Sequence, residues 1–210
     1  MKRIIALVLA AMMTVTLFTA CGGKKQQPQT DPKAEVKKVA EEYCLNLAKA
    51  NQAVLGYVKK DCDLYKQLNE MFNADYKDLN GNDLPLEEYV AGATANKLKL
   101  NGNFDYTNNK ELAKKLLEKV YQKIDVVINE EDITINDKTA TVKVTLNMPE
   151  VASINLGEGS YEERMDALKA AIETDDFLSK DVEMVASRAV ITLENDEDEW
   201  LVVYDVKNEE

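Results

Sequence analysis

The chain has 210 residues, with 26 Lys and Arg against 38 Asp and Glu and a net charge of −12. So acidic a body repels phosphate backbones and anionic headgroups, which argues against nucleic acid as a partner. Histidine is absent, which removes Ser-His-Asp and Cys-His nucleophilic sites, the usual zinc sites and the commonest base near neutral pH. No Walker-type loop, dinucleotide fingerprint or nucleophile elbow occurs. The stretch Gly157-Glu158-Gly159-Ser160 reads as a connector, because Glu158 would repel a phosphate. The composition calls for no metal and no cofactor.

The chain starts MKRIIALVLAAMMTVTLFTACGG. Lys2 and Arg3 precede an uncharged apolar run from Ile4 to Ala20, and small residues lead into Cys21. This stretch resembles a bacterial lipoprotein signal with its lipobox. Phe18 stands where Leu is usual, and Gly22 and Gly23 fit the pattern. The resemblance implies a signal peptide over 1–20, cleavage before Cys21, lipidation of its sulfur, and attachment to the extracytoplasmic face of the cell membrane. The alternative is an uncleaved anchor, since the run sits at the lower edge of a bilayer span. Small residues before the cysteine and a polar stretch after it favour cleavage. Residues 21–33 then form a lipidated cysteine and flexible tether, as Gly, Lys, Gln and Pro cannot build a core. Residues 34–210 are expected to form one domain with its own core.

Asp31 and Pro32 give a helix start signal. Val36, Val39, Ala40, Tyr43 and Leu47 follow at three- and four-residue steps, a single apolar stripe. A short second helix is expected after Asn51, and a third from about Asp61 through Leu68 to Phe72. Asn80-Gly81-Asn82-Asp83 is a turn, with a helix over Leu86–Asn96 after it. Asn108 and Glu111 have capping-box spacing and open a helix carrying Leu112, Leu116, Leu117, Val120 and Ile124.

The period then changes to two. Ala140, Val142, Val144, Leu146 and Met148 alternate with polar residues, which predicts a half-buried antiparallel strand paired with 126–135. A second capping box, Ser160 and Glu163, opens a helix with Met165, Leu168 and Ile172 inward. The second hairpin joins 182–193 to 200–206 through an acidic turn at 194–199, with Trp200, Val202, Tyr204 and Val206 on one face. The acidic turn reads as a solvated hairpin tip. The predicted fold is α+β: N-terminal helices packed on a curved antiparallel sheet made of two long hairpins with a helix between them.

Three stretches, AEVKKVAEEYCLNLAKANQAVLGYV, INDKTATVKVTLNMPE and AVITLENDEDEWLVVYD, resemble in order and residue type the nuclear transport factor 2-like superfamily, also called SnoaL-like or cystatin-like. The resemblance implies a cone-shaped domain with a cleft between sheet and helices. It implies no activity, because such folds host enzymes and binding modules alike. Its proton-shifting enzymes use an Asp or His base and Tyr donors, and no motif here maps those roles onto particular residues.

Tyr43, Tyr121, Trp200 and Tyr204 are candidates for lining such a cleft; core packing is their alternative use. Cys44 and Cys62 are candidates for a disulfide if the chain folds back near Asn51, or else two buried thiols. Without a histidine or a Cys-x-x-Cys spacing neither points to redox or protease chemistry. The expected function is a membrane-anchored binding or interaction domain, its partner an envelope protein or a small apolar ligand. The alternative is a cleft enzyme using carboxylate and tyrosine groups.

Overall fold

The computed structural model describes residues 31–78, 81–174, 176–178 and 182–207, without the side chains of 206 and 207. The signal peptide, Cys21 and nearly all of the tether therefore lie outside the described residues. Helix α1 spans Pro32–Ala48, with Asp31 as its N-cap accepting from Lys33 N. The helix thus takes up Pro32 and Lys33, which composition alone places in the tether. Its stripe, Val36, Ala40, Tyr43 and Cys44, is buried. A 3₁₀ segment, Gln52–Tyr57, is capped by Asn51, and α2 spans Asp63–Phe72. A two-residue ladder, β1 (Tyr76–Lys77) with β2 (Asp83–Leu84), leads into α3, Leu86–Ala95.

Helix α4 runs Lys110–Gln122, and its N-cap is Asn109, with no side-chain bond. The capping box expected at Asn108 is not formed. Asn108 instead bonds back to Asp105, through its backbone N–H at 3.2 Å and its amide at 2.6 Å. That local turn competes with the cap. The second expected box is present: Ser160 accepts from Glu163 N and Glu163 accepts from Ser160 N, opening α5, Tyr161–Ile172.

The main sheet is antiparallel. β3 (Asp125–Val127) and β4 (Ile133–Asn136) both pair with β5 (Thr139–Pro149), separated by a 3₁₀ turn at Glu130–Asp132. The first hairpin therefore has a broken arm where the sequence suggested a continuous one. β5 pairs with β6 (Met184–Asp196) over its whole length, and β6 with β7 (Glu199–Lys207). The acidic turn is only Glu197-Asp198, both at positive φ (49° and 71°), the left-handed pair a two-residue hairpin loop needs. Lys59 anchors the strand beside it: Nζ lies 2.8 Å from Glu194 and 3.9 Å from Asp196.

Two cores result. In the first, α1, the 3₁₀ segment and α2 cover the inward face of the sheet, where Val142, Ile191, Leu193 and Val202 have no exposed surface. In the second, α3, α4 and α5 pack with the loops around Phe104 and Ile154. The helix between the hairpins thus belongs to a helical core, not to the layer on the sheet. Gly92 of α3 lets Tyr106 approach: a Cβ there would meet its ring at 3.2 Å. Glu88 joins α3 to α4, accepting from Lys114 at 3.1 Å and Lys110 at 3.3 Å. The Lys114 hydrogen bond chiefly holds the Glu88 carboxyl below its ordinary value, with Lys110 helping and partial burial opposing.

Ile191→Ala in the sheet core and Leu168→Ala in the helical core are each expected to cost about 2–5 kcal/mol, read from urea denaturation. Glu88→Gln is expected to lower the melting temperature near neutral pH. A depressed folded-state pKa stabilises above the unfolded value and the effect fades as pH falls. The difference between Glu88→Gln and the parent should therefore shrink below pH 4.5 in a pH series of thermal melts.

Candidate functional site

A cleft of about 530 Å³ opens where α1 and α2 part from the sheet. Leu47 of α1, Leu64 and Leu68 of α2, and Val144, Leu146 and Met148 of β5 form apolar walls. The alternation read from the sequence puts Val144, Leu146 and Met148 on this face. Val144 is buried, whereas Leu146 and Met148 are only half-buried, so the cleft widens along β5. Ser187 and Ala189 stand opposite Leu146 and Val144 on β6 and share their side of the sheet.

Among the described lining residues the acidic side chain is Asp205, and the register places it there. Leu193 pairs with Val202, but the preceding Thr192 pairs with Tyr204 and Ile191 with Asp205. Val203 is thus an extra residue on β7, a β-bulge, and a bulge reverses which side chains face inward beyond it. Trp200 and Val202 point into the core before it; Asp205 points inward after it. Tyr43 Oη donates to Asp205 Oδ2 at 3.1 Å. Burial, then the Asp205 carboxylate, push the Tyr43 phenol far above its ordinary value, so it stays a neutral donor. Burial, again followed by Asp205, pushes the adjacent Cys44 thiol up to about 12.

The sequence candidates separate. Tyr43 is at the cleft, but with 0 % of its surface exposed it forms a back wall. Trp200 is buried in the sheet core and does not line the cleft. Tyr204 is 60 % exposed, because the bulge turns it to the outer face. Tyr121 sits on α4 against the helical core, its hydroxyl buried without a hydrogen-bond partner and its pKa raised to about 12 by burial and then Glu87. Cys44 and Cys62 are free thiols. Cys62 caps α2, its sulfur accepting from Tyr65 N at 3.4 Å, which turns it toward its own helix rather than into a disulfide. Asp205, Leu68 and Met148 are site residues that the sequence reading does not single out. The adjacent Val202-Val203, which interrupts the alternation, is the available hint of a bulge.

Among the described residues no group of three or more Cys, Asp or Glu is placed to hold a metal ion, and no helix is long and apolar enough to cross a membrane. No protein-family model matches the sequence, and no curated protein matches it.

Near pH 8, iodoacetamide is expected to alkylate half-buried Cys62 and to spare Cys44 in the folded protein, with both reacting in urea. Peptide mass mapping reads the outcome. Equal rates in the native state would mean that the back wall of the cleft opens readily.

Proposed function

We propose that the protein is a lipid-anchored extracytoplasmic lipoprotein whose domain binds a small apolar ligand without transforming it. The observation that carries the binding reading is the cleft. It is open, its walls are mainly Leu, Val and Met, and it sits beside the contact at which a helix and a sheet bury each other's apolar faces. Sites for small molecules are commonly of this size and this apolar, with few polar groups. The leader residues and Cys21 support the anchoring reading. A helix crossing a curved antiparallel sheet is also the arrangement that a nuclear transport factor 2-like domain would need.

One observation favours an enzymatic alternative: a carboxylate beside a tyrosine hydroxyl, Asp205 with Tyr43, in an apolar cleft. Binding is the better reading for a geometric reason. The Tyr43 phenol is fully covered and donates to Asp205, so it is not offered to a substrate oxygen. The other donors among the described lining side chains on this face are the Ser187 hydroxyl and the Cys44 thiol, and neither has a base beside it other than Asp205.

The test is a neutral apolar dye, 1-N-phenylnaphthylamine, titrated with the domain. Saturable fluorescence enhancement is expected for the parent and its loss in Ser187→Trp, which fills the cleft from a half-buried strand position, with thermal melting unchanged. No saturable enhancement in the parent would reject the binding reading. Metabolic labelling with an alkyne fatty acid, lost in Cys21→Ser, checks the anchor separately.

A further inference from the structure

We propose that the cleft takes a single-chain amphiphile tail first, in a trough along β6. The unbranched alkyl chain ends at Val144 and Ala189, and the polar head stays in water beside Val185. This inference rests on the binding reading above and names the chemistry and the orientation of the ligand.

The register builds the trough. Ala189 and Ser187 face the cleft from β6, and they pair with Val144 and Leu146 of β5. Two small side chains thus stand beside larger ones, and Val144, Leu146 and Met148 form a raised wall along them. Leu64 and Leu68 of α2, which packs beside β7, form the other wall. The floor is one strand wide, and neighbouring strands lie about 4.8 Å apart. That width fits one straight hydrocarbon chain. A branch would lift the chain off the floor and cost contacts along its length.

Burial sets the direction. At the inner end Val144 keeps 3 % of its surface and Tyr43 none. The polar groups there are engaged within the protein: Tyr43 Oη donates to Asp205 Oδ2 at 3.1 Å, and Asp205 Oδ1 is buried. A polar head carried to this end would give up water among groups that already bond one another. A methyl terminus has no such hydration to lose. At the outer end Val185 stands opposite Met148 on the same face and is 42 % exposed. From Ala189 to Val185 the floor runs for about 13 Å at the usual strand rise, half-buried at Ala189 and Ser187 and exposed at Val185. A chain entering from Val185 buries a further methylene at each step inward and leaves its head where water reaches it.

The experiment is displacement of 1-N-phenylnaphthylamine near pH 7 and at about 0.1 M salt, where screening confines charge effects to about 10 Å. Each competitor is kept below its micelle or solubility limit. From hexanol through octanol to decanol, displacement is expected to strengthen about fourfold per methylene. Decanol should outdo its branched isomer dimethyloctanol about tenfold, given what overpacking costs. Val185→Lys should tighten decanoate and loosen decylammonium by about two- to fivefold each. Val185→Glu should do the reverse, and neither should move decanol. Val185 is exposed, so both variants keep the fold, which thermal melting checks. Ala189→Leu, which fills the inner end, should weaken decanol more than hexanol. Three results would each overturn the proposal: equal displacement by decanol and dimethyloctanol, Val185 variants that leave the decanoate-to-decylammonium ratio at its parent value, or equal weakening of hexanol and decanol by Ala189→Leu. Dye binding that no alkanol displaces overturns it too and leaves the binding reading standing. Absence of saturable dye binding in the parent removes both.

Discussion

Everything on the sheet side of the molecule depends on the seat of α1. Val36, Ala40 and Tyr43 press on Ala140, Val142, Ile191 and Leu193, and none of these side chains retains exposed surface. Alanines at 40 and 140 let the helix lie close to the strands. A straight helix cannot follow a twisting sheet along its whole length. The contact is therefore tight at one end of β5 and opens toward Leu146 and Met148, which remain half-buried. The cleft is the space left by that divergence, and α2 closes one side of it with Leu64 and Leu68.

The second core has a different task. Helices α3, α4 and α5 bury Leu116, Leu168 and Phe104 against one another, and no described side chain of the five main strands joins that cluster. Chain connections link the two cores: α4 leads into β3, and β5 leads through a short 3₁₀ turn to α5 and then β6. A ligand in the cleft would thus act on the sheet core directly. The helical core adjoins β3, β5 and β6 through the chain alone.

Charge acts at two ranges. Over the surface, the excess of acidic groups, a net charge of −12, gives a diffuse negative field. In the cleft, the Asp205 carboxylate stands in apolar surroundings with a phenol donating to it. Tyr43 and Cys44 are held neutral chiefly by their burial, with Asp205 adding to the effect on each.

Most of the elements were legible in local sequence signals. The stripe from Val36 to Leu47, the caps at Asp31 and Ser160, and the alternation from Ala140 to Met148 are such signals, and each was realised as helix or strand. The α+β class follows from the change of period alone. Local pattern could not assign helices to a core: α5 has the same kind of apolar face as α1, and only its packing partners place it among helices. Nor could it fix the start of α4, since Asn108 forms a turn with Asp105 that the box spacing did not anticipate. The bulge was decided by tertiary structure as well. Strict alternation put Tyr204 beside Trp200 and Val202, whereas pairing with β6 inserted Val203 and turned Asp205 inward. A strand's side-chain direction depends on its partner's register, and a single inserted residue reverses it; that is why the acidic group of the cleft became legible only in three dimensions.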